Sequence, residues 1–504
     1  MINSTQQVKT GAILSYITIA FNIVASFLYT PFLVRTLGLS DYGLFALSAS
    51  LVSYFSIDLG LSTAITRFIA RYRAEGNEHR IKDVLGVAYK LYVAIDIILL
   101  LLLGMVYLFI DRIFGNLSLV ELNRFRNIFL ITSLFILLHI PLLPVNGCFF
   151  AYERVVALKA FDLINKIVTV ALLVLMLMLG LGLYGVVLVN VMSTLVVQFI
   201  KLVYLHRKEG LIINFRYYEK GMLKSIGAFS LWATVSMVAD KFFFSIIPTL
   251  LAAFSNTHEV AFFAIVISVE GYVLSMARVF NGLFLTRVMR LVVCNGTPEQ
   301  QTDLLIRVGR VQLYIIGIIV VGLVSLGKEF FAHWLGMGFD RSYYAMVLVL
   351  LPCLFHLTQT IAEELVYAHD KIKYRALSYV VGSMVSVTTI VLLAPRYGAI
   401  GAAIGVFLSF VVAHNIIIDV VYHQVLRINM LRFLYECHGK ILPVFAVAGG
   451  FGFIMQTYIH TPSMFLFGGK VLLWVLLCMA ILWLFAMNTE ERNLVRHLMK
   501  VNRS

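Results

Sequence analysis

Apolar runs of about twenty residues, the length that matches the hydrocarbon thickness of a bilayer at helical rise, recur from one end of the sequence to the other. In hydrocarbon every backbone N–H and C=O must find its partner within the protein, so only helices or a closed barrel can cross it. Segments of alternating polarity do not recur, and the pattern therefore predicts an all-α, polytopic membrane protein. The composition agrees, with 61% hydrophobic and 13% charged residues in 504. Fourteen spans are expected, among them cores at 11–34, 43–65, 226–253 and 260–286. They group into an amino-terminal six-helix lobe at 1–205, a cytoplasmic linker at 206–225, and a second six-helix lobe at 226–423. Two additional helices and a tail fill 424–504.

A net charge of +14 would fit nucleic acid, but the placement of the basic residues excludes that reading. They fall on alternate loops: 30 on one side, 8 on the other, and 2, Lys241 and Arg278, within spans. Lys159 and Lys166 belong to the larger group in this count. The bias follows the positive-inside rule with both termini cytoplasmic, and implies contact with membrane lipids rather than nucleic acid. The five cysteines are odd in number and show no paired spacing, so no disulfide framework is expected. The polar start MINSTQQVKT leads straight into a span, and no cleaved signal peptide is expected.

The run at 226–253 carries Asp240 and Lys241 near its midpoint, and the next adds Glu270 and Arg278. A charge at the centre of a span costs about 2.5 to 3.5 kcal/mol on insertion scales, so such residues face a bundle interior or a water-filled cavity. Asp240 and Lys241 are adjacent on one helix, point about 100° apart, and need separate partners. Two readings stay open: the four line a cavity that binds an anion, or they form interhelical ion pairs.

The segment from Pro31 to Phe68 contains Leu37-Gly38, Asp41-Tyr42-Gly43, Asp58-Leu59-Gly60-Leu61 and Arg67. This pattern resembles the amino-terminal signature of the bacterial polysaccharide flippases of the multidrug, oligosaccharidyl-lipid and polysaccharide exporter superfamily. The resemblance implies two six-helix lobes around a central cavity, in the bacterial cytoplasmic membrane. It also implies outward flipping of an undecaprenyl-pyrophosphate-linked oligosaccharide for O-antigen, capsule or exopolysaccharide assembly. Coupling to protons or sodium, and polymerase and chain-length partners, come with the same likeness; no cofactor does. Lys241 and Arg278 are then the expected pyrophosphate contacts, with Asp240 and Glu270 orienting or neutralising them.

An internal repeat is present beside that likeness. Ala151 to Val155 parallels Ala368 to Ile372 at an offset of 217, which Pro31 and Pro248 share. Six helices per repeat make the two parallel in orientation, related by an axis along the membrane normal. His139 and His356 stand at the same offset. These two, with Asp58, Asp96 and Glu363, are further candidates for coupling, each weighed against an ordinary hydrogen-bonded packing role. Glu364 and Asp419 lie towards inner ends, where solvation is the simpler reading.

Enzymatic readings find little footing. The sequence holds no phosphate-binding glycine loop with Lys-Ser/Thr, no HExxH, no CxxC and no GxSxG, and no metal site is expected. A membrane polysaccharide polymerase or glycosyltransferase would want a large outer loop, whereas the longest expected outer gap is 111–126. A cation drug exporter of the same fold would want a cavity dominated by acids.

Overall fold

The computed structural model describes residues 4–56, 60–217, 219, 221, 222, 234, 238, 241, 244–294, 296–369, 371–493 and 496. Among them every regular element is helical, and twelve stretches are long and apolar enough to cross a membrane. The protein is thus a multi-pass membrane protein, as its hydrophobic periodicity requires. Its flanks carry apolar side chains that only hydrocarbon tolerates in such number: Leu101 is 69% exposed and Leu392 71%.

Twelve stretches stand where fourteen spans are expected. The first, Ile13–Phe55, lies within helix α1 (Ser4–Phe55), which breaks at Gly38 with φ 76° and ψ 169°. A side chain there would be strained, so the turn between the first two spans is written into that glycine. The run expected at 226–253 falls largely outside the described residues until α8 (Ile247–Phe254). One boundary is corrected. The expected core 43–65 ends at Phe55, and after Gly60, in the left-handed region at φ 70°, a separate helix α2 (Leu61–Ala74) begins. Its last turn carries Arg71 and Arg73, which favour water and headgroups over hydrocarbon.

The long helices then follow in order: α3 (Glu78–Leu108), α4 (Leu119–His139), α5 (Pro144–Ala151), α6 (Val155–Met178) and α7 (Gly182–Glu209). Beyond α8 come α9 (Thr257–Val293), α10 (Pro298–Trp334), α11 (Asp340–Leu350), α12 (Thr360–Ala368) and α13 (Ile372–Tyr397). Helix α14 (Ala399–Ser409) passes through a π-helical stretch, Phe410–Ile417, into α15 (Ile418–Val425). Helices α16 (Lys440–Tyr458) and α17 (Met464–Ile481) close the series. Starts are capped where the sequence supplies the groups: Ser118 with Glu121, and Thr297 with Gln300, form capping boxes. The repeat reappears in local geometry, because His139 and His356 are each followed at once by a 3-10 turn, Ile140–Leu142 and Leu357–Gln359.

Two compact units result: Met1–Ala264 with Val387–Ala402, and Ile265–Ser386 with Ala403–Ser504. In the first, the turn after Gly38 is tied to the start of α9. A Cβ on Gly43 would sit 2.1 Å from the Thr257 carbonyl oxygen, so backbone meets backbone there. Thr257 donates its hydroxyl to Glu121, which also accepts from Ser40 at 2.6 Å, and Arg124 pairs with Asp41 at 2.6 Å. Glu259 accepts from the Ala399 N–H at 2.8 Å. These bonds tie the starts of α9 and α14 into the first unit. The linker docks on α3: Asn214 N–H donates to Lys82 O at 3.1 Å and its amide to Asp83 at 2.8 Å, while Arg80 holds Glu219 at 2.9 Å. Ile212, Phe215 and Arg216 stay exposed.

In the second unit a buried guanidinium fastens the carboxy-terminal segment to α10. Arg310 donates to Glu491 at 2.6 and 3.0 Å, to the carbonyls of Glu436 and Ala486 at 2.6 and 2.9 Å, and to Tyr314 at 2.8 Å. Burial alone would raise the Glu491 carboxyl. The hydrogen bonds from Arg310 and the Asn488 N–H outweigh it and hold the group below the usual carboxylate range. A depressed carboxylate contributes stability that is present above its unfolded pKa and lost as pH falls through its folded value. The clamp should therefore be intact at neutral pH and weaken only under acid, below the usual carboxylate range. Arg310→Leu strands Glu491, and breaking such a pair costs about 3–5 kcal/mol. Detergent-extracted protein should then melt at a visibly lower temperature at pH 7, and unchanged melting would show that the clamp contributes nothing.

Candidate functional site

Within the first unit, three helices turn polar side chains towards one cavity of about 340 Å³ at the depth of the spans. Helix α1 contributes Thr18 and Asn22, four residues apart. Helix α6 contributes Asp162, Asn165, Lys166 and Thr169, spaced i, i+3, i+4 and i+7, which puts them on one face. Helix α7 contributes Asn190 and Thr194. The volume lies at the lower end of the range of roughly 300–1,000 Å³ typical of ligand pockets.

The electrostatics of this wall divide in two. Asp162 is committed: Lys201, buried in α7, donates to it at 2.8 Å and to Asn146 at 3.2 Å, and Lys159 stands 3.6 Å away. Lys166 is different. Its ammonium lies 5.9 Å from the Tyr29 ring centroid and has no carboxylate partner among the described residues. The threonines spend their protons locally, Thr18 on Leu14 O at 2.8 Å, Thr194 on Asn190 O at 3.0 Å and Thr169 on Ser193 at 2.8 Å, leaving lone pairs. The amide N–H₂ groups of Asn22, Asn165 and Asn190 donate to nothing among the described residues; Asn22 and Asn165 only accept, weakly, at 3.5 and 3.4 Å. An ammonium and three amides whose N–H₂ groups have no described acceptor make a donor-rich wall suited to binding.

The residues expected from sequence are distributed as follows. Lys241 donates to Ser53 of α1 at 3.1 Å, Ser53 meets Ser245 at 3.1 Å, and Thr249 meets Tyr54 at 3.1 Å, so Lys241 belongs to a hydroxyl-rich seam of the first unit. Glu270 is buried on α9 in the second unit. Asp240 and Asp58 lie outside the described residues, and Arg278 lies on α9 with its side chain outside them. Asp96 is half-buried on α3, and its Oδ1 has no hydrogen-bond partner among the described residues. His139 stacks on Phe135 with centroids 5.1 Å apart. His356 meets His414 at 4.5 Å, and Glu363 pairs with Arg375 at 3.3 Å.

Sequence reasoning missed the α6 stripe by assigning Lys159 and Lys166 to a loop. The signal was legible: a polar residue at each of four positions of one helical face inside an apolar run. The Asp162–Lys201 pair also carries a prediction. Lys201→Ala leaves Asp162 with only the longer contact to Lys159 at 3.6 Å and should lower membrane abundance several-fold, whereas Lys201→Ala with Asp162→Asn should recover most of it. Equal abundance in the single and double variants would remove the pair from the fold's support.

A family model for polysaccharide biosynthesis proteins matches residues 8–283. No curated protein matches the chain. Among solved structures, the fold is similar to "Lipid II flippase MurJ, inward closed conformation", at 14% identity and a TM-score of 0.66, covering 96% of this chain and 99% of that one. It is also similar to an inward-facing multidrug resistance MATE family transporter of the MOP superfamily, at 13% identity and a TM-score of 0.59, covering 80% and 96%. The Vibrio cholerae MATE transporter VcmN in the bent form follows at 14% and 0.51, covering 84% and 98%.

Proposed function

Because the chain belongs to the family of polysaccharide biosynthesis proteins, we propose that it flips an undecaprenyl-pyrophosphate-linked oligosaccharide from the cytoplasmic to the outer leaflet of the bacterial cytoplasmic membrane. The observation that carries this reading is Lys166: an ammonium facing a polar cavity at span depth, without a carboxylate partner among the described residues. An unpaired charge there is costly unless something charged or aqueous meets it. A lipid whose headgroup is an anion joined to a sugar is that kind of occupant. Lys241, on the hydroxyl seam of the first unit, is a second proposed pyrophosphate contact; the roles expected from sequence for Arg278, Asp240 and Glu270 stay part of the proposal, each taken by itself. The fold shared with a lipid II flippase supports the same direction.

The drive follows from charge. A cytoplasm-negative potential of 100 mV contributes about 2.3 kcal/mol per negative charge moved outward. Positive groups that travel with the phosphates cancel part of it, and inward movement of a proton or sodium ion would supply the rest. Asp96, with one carboxylate oxygen unpartnered among the described residues, is the proposed carrier. A cation drug exporter is the second reading the fold permits, but the donor-rich wall favours an acceptor-rich substrate.

Cells lacking the protein should accumulate single lipid-linked units on the inner leaflet. Lys166→Ala and Lys241→Ala should each cut polysaccharide output at least tenfold at normal membrane abundance, with the Lys→Arg variants retaining part of it. Normal output from the double alanine variant would end the anion role. Complete units exposed on the outer leaflet but left unpolymerised would point to a polymerase instead.

A further inference from the structure

The cavity wall is mostly neutral. Beside one ammonium it offers three asparagine amides and three threonine hydroxyls, and its single carboxylate, Asp162, borders it. A site for a bare phosphate would be expected to surround the anion with cations or backbone N–H groups, and would not set a carboxylate on the rim. The amides present something else. Each carries two N–H donors and an acceptor oxygen in one plane, which is the complement of a pair of adjacent hydroxyls, each both donor and acceptor. The threonine protons are already given to backbone carbonyls or to Ser193, so their oxygens face the cavity as acceptors. Donors and acceptors therefore alternate along α1, α6 and α7 in a space that fits a small polar ring system. Lys166 stands next to Asn165 on the same face of α6, so a charged group and a hydroxylated one can be held side by side.

The geometry points to a saccharide subsite: Asn22, Asn165 and Asn190, with Thr18, Thr169 and Thr194, bind the ring hydroxyls of the sugar next to the phosphate, while Lys166 takes the phosphate side. This rests on the flippase reading and adds to it a place where the headgroup sugar, rather than the lipid or the pyrophosphate, is recognised. Selectivity among sugars would then arise in the first unit, from the direction of hydroxyls against the three amides. A site built to hydrogen-bond hydroxyls rejects ligands that lack them, because its own polar groups are left unpaired.

The test uses the full chain in proteoliposomes with Cys294→Ser, since the other four native cysteines are buried. Ile19→Cys reports on the cavity, which Ile19 lines, and Ser245→Cys reports on the seam at Lys241. Maleimide labelling is timed with three probes: saccharide-linked lipid extracted from cells lacking the protein, undecaprenyl pyrophosphate without sugar, and undecaprenyl phosphate. The expected result is at least fivefold slower labelling of Ile19→Cys with the saccharide-linked lipid and none with the two bare lipids. Asn165→Leu and Asn190→Leu should weaken that protection by roughly two- to tenfold each, while Asn165→Gln, which keeps the amide, retains more of it and controls for folding. Equal protection of Ile19→Cys by bare pyrophosphate lipid overturns the saccharide subsite in favour of a phosphate site, and leaves the flippase reading standing. Protection at Ser245→Cys alone also overturns it, again without touching that reading. No protection at either position by the saccharide-linked lipid overturns both.

Discussion

A charged side chain held within hydrocarbon must find an opposite charge or a polar space, and the packing of this protein is arranged around that demand. Lys201 meets Asp162 and Asn146 in the first unit. In the second, Arg310 meets Glu491, Lys470 meets Glu329, and Arg375 meets Glu363. Such pairs are poor sources of net stability, because two desolvation costs offset the attraction. Their value is positional, since each fixes one helix against another, neighbouring in sequence for Arg375–Glu363 and Lys201–Asp162, distant for Arg310–Glu491 and Lys470–Glu329. Against this background Lys166 stands apart. It is half-buried, its described neighbour is an aromatic ring, and the space beside it is a cavity rather than a carboxylate.

The signature that marks the family acts on the backbone. Gly38 turns the chain between two spans, Gly43 lets the Thr257 carbonyl press against it, Asp41 holds Arg124, and Gly60 opens α2. None of these four lines the polar cavity of the first unit. That explains why the motif reads as a statement about fold and carries no information on a ligand. The three glycines act through sterics and turn geometry, and Asp41 through its ion pair with Arg124.

Fold class was legible because a bilayer leaves the backbone one economical solution, and runs of apolar residues report it directly. The break at Phe55 was less so: Ile57 to Phe68 remains apolar enough to read as one span, and only the left-handed Gly60 shows that the helix restarts. Of the site, Lys241 was found because a charge amid twenty apolar neighbours is conspicuous. The stripe on α6 was not, for a reason of counting. Lys159 and Lys166 follow Arg154 closely in sequence and read with it as one basic loop cluster, but at 1.5 Å per residue Lys166 is already about 18 Å along the helix from Arg154. Asparagines and threonines carry no charge and pass unnoticed in a hydropathy average. Only the helical spacing of Asp162, Asn165, Lys166 and Thr169 reveals that they share a face.

The choice of cation also bears on what a cavity of this kind is for. An arginine grips a phosphate through two parallel hydrogen bonds in fixed geometry, and here arginine performs a permanent task, locking Glu491 through Nε and Nη2 of its guanidinium. The cation of the cavity, Lys166, and that of the hydroxyl seam, Lys241, are both lysines. An ammonium is a compact charge on a flexible stem, and it attracts an anion without prescribing its orientation. A protein that moves its ligand must let go at the far side, so binding at the intermediate point has to offset desolvation without creating a trap. Lysines that supply charge, amides that supply modest neutral hydrogen bonds, and a wall free of bidentate clamps meet that requirement together. In this protein, then, the rigid ion pairs serve the framework, and the lysine and amides of the cavity wall are left without such partners among the described residues.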